Sequence, residues 1–163
     1  MVFMLTNEGK IEMSVLSRII RFYYVASHWP EYLAALFDIG LRLYLADVFF
    51  KSGLTKIKNW DSTLYLFNDV YHVPLLPPEL AATMAASAEL GLSVLLVLGL
   101  FGRFSAAGLF ILNIVAVISY ADLSDAGINQ HLFWGILLAV LLIISRGQWS
   151  ADAWLEKQLK ESS

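Results

Sequence analysis

At 163 residues, 58% of them hydrophobic and 15% charged, the chain is more apolar than a water-soluble domain, which has about 45–50% and about 25% respectively. A formal net charge of −3 without a basic tract excludes a phosphate-neutralising surface, so nucleic acid is not an expected partner. The absence of cysteine excludes thiol–disulfide exchange, iron–sulfur ligation and palmitoylation by this chain alone.

Four apolar stretches approach the roughly 20 residues that a helix needs to cross a hydrocarbon layer of about 30 Å. The pattern therefore predicts an all-α integral membrane four-helix bundle with interfacial N- and C-terminal helices, leaving no length for a soluble catalytic domain. Residues 1–32 form the first unit. Within it, residues 11–27 space apolar groups helically around Arg18 and Arg21, which suits a helix lying in the membrane surface and does not read as a cleaved signal peptide. His28, Trp29 and Pro30 predict a break.

The membrane bundle is expected over 33–148. Its first span covers about 33–54, followed by a polar and aromatic loop to Pro78 with a short amphipathic helix near Asp61–Val70, Asp61 being the predicted N-cap. Spans at about 79–100 and 103–121 are joined so briefly, through Gly99 to Arg103, that they must be antiparallel neighbours. A turn with Asp122, Asp125 and Gly127 leads to the last span, about 128–145, and residues 149–163 read as a second interfacial helix with Trp149 and Trp154 at headgroup level. With both ends inside, seven Lys and Arg residues fall on the inner side and three on the outer, the asymmetry expected for cytoplasmic termini.

Charged groups in lipid are costly, about 2.5–3.5 kcal/mol each at mid-membrane on insertion scales, and so should meet partners. Arg42, Glu89 and Asn113 each fall roughly 13–17 Å from the predicted inner boundary at about 1.5 Å per residue. The expectation is an interior Arg42–Glu89 pair with Asn113 adding a hydrogen bond. Such a cluster either fixes helix register or binds a polar ligand such as a quinone carbonyl. Asp38–Arg42 and Asp47–Lys51 are i,i+4 pairs on different faces of the first span. Small residues from Ala81 to Gly91 permit close helix packing.

His28 falls on the inner side, so it cannot share a ligand with the other two histidines. His72 and His131 could approach at the outer mouth with Tyr71, Tyr120 and Asp122 nearby, as a metal or quinone-ring site, the default being ordinary interfacial polar groups. No phosphate loop, nucleophile elbow or zinc-protease motif is present, and neither catalytic residues nor metal ligands are assigned.

The run RLYLADVFFKSGLTKI resembles the first-span signature of the DoxX family, an arginine followed eleven positions later by glycine and fourteen later by lysine: Arg42, Gly53 and Lys56. AELGLSVLLVLGLFGRFSA is similar to its second-span pattern through Glu89, Leu98, Gly99, Leu100 and Arg103, and RGQWSADAWL to its closing motif through Gly147, Ser150 and Asp152. VPLLPP matches the family's proline-bearing entry to the second span. The resemblance covers about residues 33–155. It departs at Ala46–Asp47, where the family more often has glycine and an apolar residue, and at Ser52, a place often held by histidine; any role of that histidine is not shared here.

The resemblance implies a four-span protein of the bacterial inner membrane, surrounded by lipid and assembled with a protein partner or with its own copies. Family members are associated with membrane complexes handling thiol and oxidative stress, and the family name reflects likeness to the small subunit of a thiosulfate:quinone oxidoreductase. An accessory oxidoreductase subunit, with quinone as the candidate cofactor, is therefore the first expectation. A non-enzymatic scaffold or a protein handling small solutes or metal stress is the alternative, since fold alone does not fix function.

Overall fold

The computed structural model describes residues 7–144 and 157–160, and every element within them is helical or a turn. Two compact units divide the chain, Met1–Leu36 and Phe37–Ser163. Five helices follow in order: α1 (Asn7–Lys58), α2 (Trp60–Asp69), α3 (Pro78–Leu98), α4 (Gly102–Ser119) and α5 (Asp125–Ile144). In the first unit the predicted break is not found: the backbone stays helical through His28, Trp29 and Pro30. Proline removes one amide donor from a ladder of many, a loss that helices of membrane proteins tolerate.

The second unit is built around one layer of leucines. Leu45 of α1, Leu96 of α3, Leu109 of α4 and Leu138 and Leu141 of α5 are almost fully buried together, so four helices share one core. Outside that core the polarity is the reverse of a water-soluble protein. Met84, Val97, Ile111, Ile118, Leu132, Phe133, Ile136 and Ile143 are all exposed, an apolar surface that only lipid satisfies. Three helices are long and apolar enough to cross a membrane, Pro78–Leu98, Gly102–Ser119 and Asp125–Ile143. The protein is an all-α membrane helical protein. The first of the four expected spans does not meet the same standard, because Asp38, Arg42, Asp47, Lys51 and Lys56 all fall in the α1 segment that joins the core.

Local signals explain the helix ends. Pro78 occupies the first turn of α3, where a missing amide costs nothing, and Gly99 closes the helix in the left-handed region at φ 66°. The Leu100 amide donates back to the Leu95 carbonyl at 3.1 Å, so only Gly99 to Phe101 separate α3 from α4. At the start of α5 the Ser124 hydroxyl accepts from the Gly127 amide at 3.2 Å, an N-cap that moves the helix start ahead of the expected residue 128. The N-cap of α2 is Asn59, not Asp61, which lies in the first turn.

Between α1 and α2 a single residue interrupts the helix. Asn59 adopts φ −125° and ψ 62°, and the Thr63 hydroxyl donates to the Lys56 carbonyl at 3.1 Å, satisfying an acceptor that the break would otherwise orphan. From there α2 lies against the N-terminal half of α3, with Phe67 packed on Ala81 and Ala82. These alanines belong to the small-residue run, and their size admits the ring. Ser87 and Gly91, the other small pair, are exposed.

Gly53 sets how closely α1 approaches α3. A Cβ there would stand 2.9 Å from Leu90 Cγ and 3.1 Å from Glu89 Cβ, closer than packed carbons normally come. G53V is expected to destabilise the bundle by about 1–3 kcal/mol through overpacking, seen as a lower thermal midpoint in detergent. An unchanged midpoint would show that the two helices are not in this contact.

Candidate functional site

Gly53 brings the last turns of α1 beside the middle of α3, and there the buried charges meet. Lys56 Nζ donates to both carboxylate oxygens of Glu89 at 2.8 Å, and to the Ser52 hydroxyl at 2.9 Å. Ser52 in turn donates to Glu89 Oε1 at 3.2 Å. The side chains of Lys56 and Glu89 retain only 19% and 6% of their exposure, so the ion pair is sheltered from screening. Ser52 and Lys56 lie one turn apart, and Gly53 between them keeps the α3 side of the turn open. The lysine also stands in the last turn of α1, where the helix dipole favours a cation.

The expected partner of Glu89 was Arg42, and here the structure differs. Arg42 Nη2 pairs with Asp38 at 2.9 Å along its own helix. Lys56 lies fourteen residues beyond Arg42, about 21 Å along the axis, so a helix that places Lys56 on Glu89 cannot also place Arg42 there. With Gly53 level with Glu89, Arg42 comes about level with the Gly99 turn. Asp47 and Lys51 also pair as their spacing predicts, at 2.7 Å, but both are largely exposed and add little stability.

Asn113 does share the depth of Glu89. It stands eleven residues past Gly102, about 16 Å, while Glu89 stands ten before Gly99, about 15 Å. Its amide is engaged by α5, however: Nδ2 donates to the His131 carbonyl at 2.9 Å, and Oδ1 lies 2.8 Å from His131 Nδ1. His72 is at the C-terminal end of α4, where its backbone amide donates to the Ser119 carbonyl at 2.8 Å. Ser119 is six residues above Asn113, about 9 Å, and the two histidines are held by different partners. Tyr120 packs edge-on against Tyr71, ring centroids 5.4 Å apart. Arg103 is exposed beside the Gly99 turn. Gly147, Ser150 and Asp152 lie outside the described residues.

Aromatic groups gather where α2 and the loop after it meet the end of α4. Phe67 and Tyr120 flank Tyr71, and a recess of about 370 Å³ opens beside it, lined by Phe67, Tyr71, His72, Pro74 and Leu76 among others. Burial, the neighbouring Tyr120 and the negative charge of Glu89 all push the Tyr71 phenol above its ordinary value of 10.0. Among the described residues no group of three or more His, Asp or Glu side chains is arranged to hold a metal ion.

The family model for DoxX matches residues 37–122. The chain belongs to the DoxX family. A Haemophilus influenzae protein described as uncharacterized is 34% identical over 126 residues, covering 72% of this chain and 82% of the relative. No solved structure matches. The resemblance of the first span to DoxX includes a glycine and a lysine three apart, and the structure accounts for both in physical terms, since Gly53 admits α3 and Lys56 neutralises its glutamate. Ser52 bridges the pair. What the sequence did not mark as a site residue is Ser52, whose one signal is its i,i+4 spacing to Lys56; Tyr71, expected beside His72 and His131, packs against Phe67 and Tyr120.

Two outcomes follow from this geometry. K56M or E89M alone strands a buried charge and is expected to cost about 3–5 kcal/mol, whereas the K56M/E89M double variant recovers most of it; thermal midpoints in detergent decide, and full additivity of the two losses would rule out direct pairing. Tyr71, held above its ordinary value, contributes stability that is fully present below pH about 10 and is lost as pH rises through the raised value. Alkaline absorbance titration should show E89Q lowering the Tyr71 transition relative to wild type, with Y71F identifying the signal.

Proposed function

We propose that this DoxX protein is an accessory subunit of a membrane oxidoreductase complex, resident in the bacterial inner membrane with both termini cytoplasmic. In this reading the Lys56–Glu89–Ser52 cluster receives the carbonyl end of a quinone that enters past Tyr71. One observation carries it: a half-buried lysine is held among apolar helices by a buried glutamate, and an aromatic-lined recess opens beside Tyr71. The three N–H groups of Lys56 are all in use, two on Glu89 and one on Ser52. In this reading the carbonyl oxygen therefore displaces one of the two Glu89 contacts, which leaves the ion pair intact and adds no charge, and the aromatic rings give a flat apolar ring a stacking surface. Lipid-soluble quinones combine both features. The bacterial relative and the excess of Lys and Arg on one side support the location.

The chain itself holds no cysteine, so sulfur or thiol chemistry in such a complex resides in the partner. The alternative, a scaffold in which the ion pair only fixes helix register, predicts no ligand at all. Thermal unfolding of the detergent-solubilised protein separates the two. Decylubiquinone is expected to raise the midpoint of the wild type by several degrees and to raise that of S52A and Y71F less. No rise with decylubiquinone or menadione in the wild type would favour the scaffold.

A further inference from the structure

On the other side of α4 from the ion pair, the Asn113–His131 contact fixes more than a packing arrangement. A main-chain carbonyl accepts and never donates. The Asn113 amide group 2.9 Å from the His131 carbonyl is therefore its NH₂, and the group facing His131 Nδ1 at 2.8 Å is its carbonyl oxygen. That oxygen can only accept, so Nδ1 carries the proton, and in the neutral ring Nε2 is left as a bare acceptor. The ring is further set by Trp134, whose plane meets it edge-on at 5.1 Å, and the Trp134 indole is in turn anchored on the Tyr44 hydroxyl at 3.3 Å.

Nε2 has no hydrogen-bond partner among the described residues, yet it is not one of the sealed polar atoms of the interior, and the ring is half-exposed. Its neighbours along α5, Ile128 and Leu132, are exposed apolar residues. An oriented lone pair thus opens onto the lipid-facing surface near the middle of the bundle, about level with Asn113. In hydrocarbon no water competes for it, and an unmet acceptor there is unfavourable until a donor arrives.

We propose that His131 is a hydrogen-bond acceptor site for the hydroxyl group of a membrane-dissolved phenol or quinol, with Asn113 as the positioning residue that fixes its tautomer. The site is opposite in hydrogen-bond polarity to Lys56. An amine that only donates selects a carbonyl, and an imidazole nitrogen that only accepts selects a hydroxyl; the oxidised and reduced forms of one lipid-soluble ring therefore suit different places on this bundle. The His131 assignment stands on its own geometry and does not require the Lys56 site to hold a quinone.

The test is nitrogen NMR of the full chain, labelled in its histidines with ¹⁵N, in phosphatidylcholine nanodiscs under reducing, oxygen-free conditions, with H131N identifying the His131 signals. Before any addition, Nδ1 should be protonated and Nε2 should show the resonance of a bare imine nitrogen. Durohydroquinone should shift the Nε2 resonance saturably, while durohydroquinone dimethyl ether, which lacks the hydroxyl hydrogens, should require at least tenfold more for any shift. N113L should yield mixed tautomers and a weaker hydroquinone response. A protonated Nε2, an Nε2 already hydrogen-bonded in the free protein, an equal response to the dimethyl ether, or an unchanged tautomer in N113L would each overturn the proposal. Running the same titration on K56M/E89M keeps the two sites apart: the His131 response persists there even if quinone binding at Lys56 is absent.

Discussion

A lysine and a glutamate that must stay together in a medium without water hold this bundle in register. Each of them is costly alone in an apolar environment, and the 2.8 Å contact between them fixes the axial offset of α1 against α3. The offset then decides everything placed on α1. It brings Leu45 into the common leucine layer, sends Arg42 toward the level of the Gly99 turn, and sets the helix break at Asn59 just past the pair. Gly53 is the steric condition for all of this, since any side chain there would hold the helices apart before the charges met.

Much of the architecture could be read from residue order, because lipid imposes so few solutions. Helices α3, α4 and α5 announce themselves by length and apolarity, and the tight link between α3 and α4 by Gly99. The polar residues at mid-depth were equally visible, Glu89 and Asn113 above all. Their partners were not. Counting depth from Leu33 assumes that the first span starts there, but the register of a charged helix is set by what its charges find across the interface, and no residue count carries that. Arg42 pairs its charge locally with Asp38 four residues away, which the spacing showed, and this leaves Glu89 to Lys56. Capping was legible only in part: an asparagine beside an aspartate hides which one caps α2, and Ser124 was obscured by the acidic turn around it.

The two polar arrangements on either side of α4 differ in kind. Lys56, Ser52 and Glu89 satisfy one another in charge and in hydrogen bonding, with two lysine N–H groups on the carboxylate and the third on the serine. Asn113 and His131 are neutral and use an amide to orient a ring. A membrane protein with so few ionisable interior groups can therefore offer chemically distinct surfaces to small lipophilic molecules without cysteine, metal or haem ligands of its own. Belonging to DoxX says which fold carries these groups; the side chains that surround them are this chain's own.

The polarity of α1 also bears on how the protein is made. Three of its helices are apolar enough to leave the insertion machinery unaided, but the α1 segment carries five charged residues between Asp38 and Lys56. Its neutralising glutamate is synthesised 33 residues after the lysine it serves. The charged segment therefore gains its counter-charge only once α3 has been made, and its settled place in lipid is written into a later stretch of the chain.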